Sequence, residues 1–179
     1  QVDSTGSTVQ VEMGTVSFDS TKIPVVGPPR EVLNETLVVG GRSFSFCAAT
    51  VGNPHCVLPL SSISEELARA VGPGIEVHSL FPNRTNVQLL QVLDRNNISI
   101  QIWERGAGYT LASGSSSCAA AAVARRLGLC DSRITVHMPG GLLQIEIGDD
   151  YAVQMRGPVA HVYDGELGRE ALDAAPENL

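Results

Sequence analysis

Residues 101–129 read QIWERGAGYTLASGSSSCAAAAVARRLGL, and this stretch decides the fold that the rest of the chain has to accommodate. Its first part reads as a strand that ends at Trp103, and a polar Glu-Arg turn follows. A second turn, of small residues at 113–117, precedes a run of alanines. Small hydroxyl residues are typical of a helix N-terminus, and a glycine such as Gly128 is typical of a helix end. The stretch therefore predicts a strand, two turns and a helix.

The predicted helix is unusual because residues 119–122 are all alanine and leave it no polar face. A helix that is apolar on most sides is normally buried, so we expect a sheet to wrap around it. The first turn of a helix leaves several N–H groups unpaired, and these groups, with the positive end of the helix dipole, attract a carboxylate or phosphate. Because the Glu-Arg turn lies close by in the sequence, we expect this helix start to form one wall of an active site.

Elsewhere the chain predicts short strands separated by turns, together with a second helix at Ser64–Val71 that ends at Gly72-Pro73-Gly74. The expected strands are 7–13, 37–39, 43–50, 56–60, 87–93, 98–103, 133–138, 142–147, 151–156 and 159–162. The glycine pair Gly40-Gly41 is expected to join the second and third of them as a hairpin. Strands joined by short turns pair antiparallel, so the predicted fold class is α+β, a mostly antiparallel sheet around a central alanine-rich helix. We expect residues 1–179 to form a single domain.

Composition narrows the classes of function. A formal net charge of −7 without any basic cluster argues against nucleic acid and membrane surfaces as partners. No stretch approaches the roughly 18 apolar residues of a membrane helix, and no signal peptide is evident, so we expect a cytoplasmic protein. The four cysteines have no metal-binding spacing and are expected to be reduced thiols. The chain does not begin with Met, and we expect an N-terminal half to be missing from it.

Three segments, at 52–55 (GNPH), 86–92 (NVQLLQV) and 103–120 (WERGAGYTLASGSSSCAA), follow one another with ordered spacing. Two further pieces, MPGG at 138–141 and MRGP at 155–158, support them. Together they resemble the C-terminal half of the diaminopimelate epimerase family. The resemblance implies a lobe in which a sheet wraps one helix, and an active site in the cleft between this lobe and an N-terminal lobe. It also implies an amino-acid substrate and no cofactor.

The resemblance implies roles for individual positions. Asn53 and Asn86 would hydrogen-bond the distal amino-acid group of the substrate. Glu104 and Arg105 would contribute to the same polar wall, and Glu104 is also a candidate for proton transfer. The turn at Gly114-Ser115 would present N–H groups to the carboxylate on the reacting carbon, which is the role that the physics of helix ends also predicts.

Position 113 departs from the family pattern Leu-Ala-Cys-Gly-Thr/Ser-Gly, in which the cysteine thiolate is one of two catalytic bases. Here the position is Ser113, and Gln88 stands where the family often has a second asparagine, which is expected to alter how the distal end of a substrate is read. A thiol has a pKa near about 8.5, whereas a serine hydroxyl is scarcely ionised without an activating base. Ser113 remains a candidate catalytic residue, as does His55, but alone it is expected to be a poor base.

Each feature also has a purely structural interpretation. The serines at 113–117 can form a plain N-cap, and Glu104 with Arg105 can form a surface ion pair. Asn53 and Asn86 can shape turns, because asparagine tolerates turn geometry. His55 can be a core histidine that orients Asn53 or the catalytic cysteine of the site.

Three functions remain open on the sequence. The leading one is a cofactor-independent amino-acid epimerase that converts LL- to meso-diaminopimelate, by α-proton removal from one face and return to the other, in lysine and peptidoglycan precursor biosynthesis. The second is a one-base isomerase or dehydratase of a related amino or carboxylic acid. The third is a non-catalytic ligand-binding homologue. The expected partners are an amino-acid substrate and the N-terminal lobe of the same protein, and a homodimer is compatible with all three.

Overall fold

The computed structural model describes residue 2 and residues 6–170. This part of the chain contains ten strands and two helices. Their bounds are β1 Thr8–Thr15, β2 Glu35–Val39, β3 Arg42–Thr50, β4 Pro54–Pro59, α1 Glu65–Glu76, β5 Asn86–Asp94, β6 Asn97–Glu104, β7 Gly108–Thr110, α2 Gly114–Arg126, β8 Arg133–Met138, β9 Gly141–Ile147 and β10 Ala152–Pro158. Neither helix is long and apolar enough to cross a membrane.

The strands form one sheet in the order β1-β10-β9-β8-β6-β5-β4-β3-β2, and the short β7 pairs with β6 off this path. Neighbours are antiparallel except for β4 with β5 and β6 with β8. Helix α1 lies between the first parallel pair along the chain and helix α2 between the second. Parallel neighbours need such long crossover connections. The mostly antiparallel α+β fold expected from the sequence is confirmed.

The sheet curls around helix α2. Every residue from Cys118 to Ala124 has 0% exposure, and the helix contacts strands β3 to β6 and β8 to β10. The segment after β1 closes the curl, because the Val16 N–H donates to the carbonyl of Tyr151 on one side, at 3.0 Å. On the other side, Ser17 and Thr50 exchange two backbone hydrogen bonds. The expectation that the alanine helix is wrapped by the sheet is confirmed.

Helix α1 packs on the outer face of the sheet, where a second hydrophobic core lies. It begins as expected, with the Ser64 hydroxyl accepting from the Leu67 N–H at 3.1 Å. The expected end at residues 72–74 is wrong, because the helix continues to Glu76. A Cβ on Gly72 would lie 2.6 Å from Cγ of Trp103, so this glycine permits close packing instead of ending the helix.

Two further expectations need correction. Residues 159–162 do not form a strand, because their neighbour β1 begins only at Thr8, opposite Pro158, the last residue of β10. The short strand β7 was not predicted; its three residues pair with the end of β6 and are too few to show a periodic pattern. The turn between β2 and β3 is confirmed, with Gly40 and Gly41 both at positive φ, as a two-residue hairpin turn requires.

Candidate active site

Asn86 joins two of the segments that the sequence singles out. It is the first residue of β5 and is 5% exposed. Its side-chain Nδ2 donates to the carbonyl of Pro54 at 2.8 Å, and its Oδ1 accepts from the Arg105 N–H at 2.9 Å. The side chain therefore connects the first residue of β4 to the turn after β6. One N–H and one lone pair of the amide remain for a ligand.

Asn53 lies at the partly exposed turn before β4, next to a buried histidine. Its Oδ1 is 2.9 Å from Nε2 of His55, and because an amide oxygen only accepts, the ring donates from Nε2. Burial lowers the pKa of His55 to about 4, although the Gln88 side chain raises it, and the charge of Arg105 lowers it further. His55 is therefore neutral near pH 7, and its position suits a ring that orients Asn53.

A buried amide links β5 to the first turn of α2. Nε2 of Gln88 donates to the hydroxyl of Ser116 at 3.0 Å, and both residues have 0% exposure. Gln88 lies near enough to His55 to affect its pKa, yet Oε1 of Gln88 and Nδ1 of His55 complete no hydrogen bond among the described residues. The Gln88 amide therefore hydrogen-bonds the first turn of α2.

Helix α2 begins at the serine-rich turn, with Ser113 as the N-cap residue in an extended conformation. Its backbone carbonyl accepts from both the N–H and the hydroxyl of Ser117, at 3.1 and 2.7 Å. Its side chain makes no capping hydrogen bond, so the plain N-cap interpretation does not describe this hydroxyl. Within the described residues no histidine or carboxylate hydrogen-bonds to Ser113, so nothing there activates it as a base.

A shallow cavity of about 270 Å³ opens beside this helix start. Ser113 and Gly114 line one side of it, and Met138 and Gly140 line another. A Cβ on Gly114 would lie 3.0 Å from Sδ of Met155, so the glycine lets the helix backbone approach β10 closely. Ser115, the next residue, is half-buried. A larger surface cavity, of about 470 Å³ over β8–β10, touches none of the expected site residues.

The Glu-Arg turn follows β6 and leaves both charged side chains accessible. Glu104 is half-buried and Arg105 is exposed, and Nη1 of Arg105 donates to the carbonyl of Asn83 at 3.1 Å. No ion pair joins Glu104 to Arg105 in the described part of the chain, so the surface ion-pair interpretation is not supported. No group of three or more His, Cys, Asp or Glu side chains in residues 6–170 is placed to hold a metal ion.

Reasoning from the sequence missed Glu76, the last residue of α1. Its carboxylate accepts from the indole N–H of Trp103 at 2.7 Å and from the backbone N–H of Gly106 at 3.0 Å. No pattern in the sequence singles it out, because the predicted helix ends at residues 72–74 and leaves Glu76 outside it. Its partners are 27 and 30 residues away, so no local pattern could identify them.

Known proteins resemble this chain over most of its length. Residues 47–162 match the family model for diaminopimelate epimerase. The chain is 59% identical over 165 residues to diaminopimelate epimerase 2 of Nostoc sp., covering 92% of this chain and 58% of that protein. It is 42% identical over 164 residues to the diaminopimelate epimerase of Desulfitobacterium hafniense, with the same coverage of 92% and 58%. The chain thus spans 58% of the length of these curated relatives.

Solved structures show the same fold at low identity. A hydroxyproline epimerase from Agrobacterium vitis, with bound trans-4-hydroxy-L-proline, aligns with a TM-score of 0.58 at 12% identity, over 85% of this chain and 50% of that one. A Bacillus anthracis phenazine biosynthesis protein of the PhzF family aligns with a TM-score of 0.53 at 13% identity, over 87% and 58%. Because the family model matches more than half of its residues and close relatives match nearly all of them, the chain belongs to the diaminopimelate epimerase family.

Proposed function

We propose that the whole protein of which this chain is a part is a cofactor-independent amino-acid epimerase that interconverts LL- and meso-diaminopimelate. The observation that carries the proposal is the family match, which includes every expected site residue from Asn53 to Ser115. In support, side-chain hydrogen bonds connect three of the expected segments around the start of α2. In this proposal the reaction serves lysine and peptidoglycan precursor synthesis.

The proposed binding roles follow from the family resemblance, to which the hydrogen-bonding capacity of these side chains adds support. Asn53 and the spare hydrogen-bonding capacity of Asn86 would take the distal amino-acid group, with Glu104 and Arg105 beside them. The carboxylate on the reacting carbon would lie against the N–H groups of Gly114-Ser115, in the first turn of α2. The Ser113 side chain does not cap this turn, and the positive end of the helix dipole favours an anion there. A carboxylate held in this way is also stabilised as charge develops during α-proton removal.

We further propose that the substrate binds between this chain, acting as a single domain over residues 1–179, and the N-terminal lobe of the same protein. The N-terminal lobe would supply the base on the opposite face of the α-carbon. The family resemblance supports a cytoplasmic enzyme that uses no cofactor, and it is compatible with a homodimer. These assignments rest on the resemblance and on the length of the relatives, of which the chain spans 58%.

The test uses the whole protein, including the N-terminal lobe, with LL- and meso-diaminopimelate separately in deuterated water. We expect loss of the α-proton signal and the appearance of the other stereoisomer by chiral chromatography. If neither exchange nor interconversion appears with either isomer, the proposal is wrong. Binding by calorimetry without any exchange would instead identify a non-catalytic ligand-binding protein.

A second candidate function, a one-base isomerase or dehydratase of a related amino or carboxylic acid, is favoured by one observation. The hydroxyl of Ser113 has no activating base among the described residues, and the buried His55 is neutral and bonded to Asn53. Such a serine can hydrogen-bond a reacting group or return a proton, but it abstracts one poorly.

Two substitutions at position 113 separate the candidates. If the enzyme epimerises with a proton donor on each face, Ser113→Ala lowers kcat for interconversion by about 10²-fold or more, the range lost with a general acid or base. Under the one-base function the same substitution is mild. A gain of two-way epimerisation in Ser113→Cys would support the one-base function for the natural chain, because a thiol ionises far more readily than a hydroxyl at a helix N-terminus. Unchanged turnover in both variants would remove position 113 from the chemistry.

A further inference from the structure

The buried carboxylate at the end of α1 holds both sides of the Glu-Arg turn. Oε2 of Glu76 accepts from the indole of Trp103, directly before Glu104, and Oε1 accepts from the backbone of Gly106, directly after Arg105. The Glu76 side chain is only 9% exposed. One buried residue on the outer helix is therefore bonded to the turn on either side of the two side chains proposed to read a ligand.

Asn86 completes this hold on the turn. Its Oδ1 accepts from the Arg105 N–H at 2.9 Å, so the successive N–H groups of residues 105 and 106 are both fixed by side-chain acceptors. The backbone also connects Asn86 to Glu76, because the N–H of Thr85, the residue before Asn86, donates to the backbone carbonyl of Glu76 at 3.1 Å. The end of α1, the start of β5 and the turn thus form one hydrogen-bonded unit.

Glu76 lies where a carboxylate is unfavourable unless its partners compensate for burial. A buried carboxylate costs free energy unless it is hydrogen-bonded, and the C-terminal end of a helix disfavours it further. Burial raises the pKa of Glu76, but the hydrogen bonds from Trp103 and Gly106, with the charge of Arg84 at 3.4 Å, hold the pKa below its usual value. The group therefore stays ionised. Well-packed apolar side chains often stabilise a buried site equally well, so the hydrogen bonds of Glu76 to the two ends of the turn suggest a role in setting its geometry.

We propose that Glu76 is a positioning residue that fixes the Glu104–Arg105 turn in the orientation that reads the distal end of the substrate. The inference rests on the proposed function, because that function gives Glu104 and Arg105 their ligand-binding role. Glu76 itself faces the indole and the backbone of the turn, so it acts on a ligand only through them.

The test is Glu76→Gln in the whole protein, assayed with diaminopimelate. A glutamine oxygen can accept from only one of the two N–H donors, and its own NH₂ group would face the other. We expect KM to rise about tenfold or more, because a displaced turn weakens the hydrogen bonds between its charged side chains and the substrate, while kcat changes less than about threefold. This split follows from the proposed binding mode, in which Glu104 and Arg105 contact the distal group of the substrate and not the α-carbon; an equal fall in kcat would instead indicate that Glu104 also transfers the proton.

The matched control is Glu35→Gln. This variant also removes a carboxylate that accepts two hydrogen bonds, from Nε and Nη2 of Arg30 at 2.6 and 2.8 Å. Glu35 lies outside the candidate site. We expect this variant to lower the melting temperature while leaving KM within about twofold of wild type, because no bond to the turn is changed. If Glu76→Gln also lowers only the melting temperature and leaves KM unchanged, the positioning role is wrong.

The chemical shift of the Trp103 indole N–H reports its hydrogen bond to Glu76 directly. Trp103 is the single tryptophan of this chain, and Trp103→Phe assigns its indole N–H resonance in the whole protein. We expect that resonance to shift in Glu76→Gln and not in Glu35→Gln. An unshifted resonance in the first variant would overturn the inference. A wild-type protein that neither exchanges nor interconverts the substrate would instead overturn the proposed function, whatever the resonance shows.

Discussion

Buried polar side chains are concentrated beneath the candidate site. His55, Asn86 and Gln88 are each 5% exposed or less, on the parallel strands β4 and β5. Buried polar groups are costly unless they are hydrogen-bonded, and these side chains hold the turn before β4, the turn after β6 and the start of α2. At the scale of single residues, the site therefore consists of buried side chains whose hydrogen bonds fix the positions of a few accessible side chains above them.

The neutral state of His55 predicts a dependence of stability on pH. The unfolded chain binds a proton at the ordinary histidine pKa of 6.5, but the folded protein does so only near about 4. As the pH falls through this window, protonation favours the unfolded state, so the free energy of unfolding falls. Each unit of difference between the two pKa values is worth about 1.4 kcal/mol, so the free energy of unfolding falls by about 3 kcal/mol between pH 7 and pH 4.

The measurement is the free energy of unfolding in urea across that range, for wild type and for His55→Gln. Carboxylates also titrate there, so the difference between the two proteins isolates the histidine. We expect the advantage of wild type over the variant to shrink as the pH falls. Curves that stay parallel from pH 7 to pH 4 would show that His55 is not held neutral in the folded state.

At the scale of secondary structure elements, α1 depends on two glycines that the sequence presents as helix breakers. A Cβ on Gly72 would lie 2.6, 2.7 and 2.8 Å from three atoms of Trp103, including its own Cβ. On Gly74 it would meet mainly one methyl group of Val39. The helix therefore packs against β6 through Gly72, and this close approach sets the distance from α1 to the site.

Gly72→Ala is expected to destabilise the protein even though alanine favours a helix. The clash involves the inner atoms of a packed side chain, which cannot turn aside, and overpacking of this kind costs about 1–3 kcal/mol. The gain in helix propensity, about 1 kcal/mol, offsets only part of it. Chemical denaturation measures the difference.

The matched control is Gly74→Ala in a Val39→Ala background. The single methyl contact is then removed, so Gly74→Ala is expected to leave the free energy of unfolding equal to or slightly above that of Val39→Ala alone. A Gly72→Ala protein as stable as wild type would mean that α1 shifts without cost, and that the approach to Trp103 is not a fixed contact.

At the scale of the whole molecule, the sheet has to stay closed around α2. At the far end of this helix, Arg125 donates to the carbonyls of Ile147 and Gly148, and to the carboxylate of Asp149 at 2.7 Å. Its guanidinium also lies 5.6 Å from the ring centre of Tyr151. One side chain thus fastens the helix to the turn between β9 and β10, next to the residue that closes the sheet.

Arg125→Lys is expected to cost about 1–2 kcal/mol, because an ammonium cannot reproduce several guanidinium hydrogen bonds or the contact with the ring. The neighbouring Arg126→Lys is the matched control. Arg126 pairs with one exposed carboxylate, Glu31 at 2.5 Å, and a surface pair is worth less than about 1 kcal/mol. Thermal unfolding of both variants tests the prediction, and equal losses would contradict it.

Much of the fold and part of the site could be predicted from local patterns. The run at 119–122 predicted a buried helix, since a helix without a polar face has to be covered. The alternation before Trp103 and the glycine pair at Gly40–Gly41 predicted strands and a hairpin for equally local reasons. The motifs around Asn53 and Asn86 identified the family, because their spacing along the chain is itself the signal.

What the sequence by itself determined is therefore the type of most elements, the burial of α2 and the family. Only the tertiary structure decided which buried polar groups meet: Glu76 with Trp103, Asn86 with Arg105, and Gln88 with Ser116. It also decided that Gly72 is a packing contact and that the hydroxyl of Ser113 does not cap its helix. The physical reason is range. Burial and turns follow from neighbours in the chain, whereas these contacts depend on strand order, register and crossover.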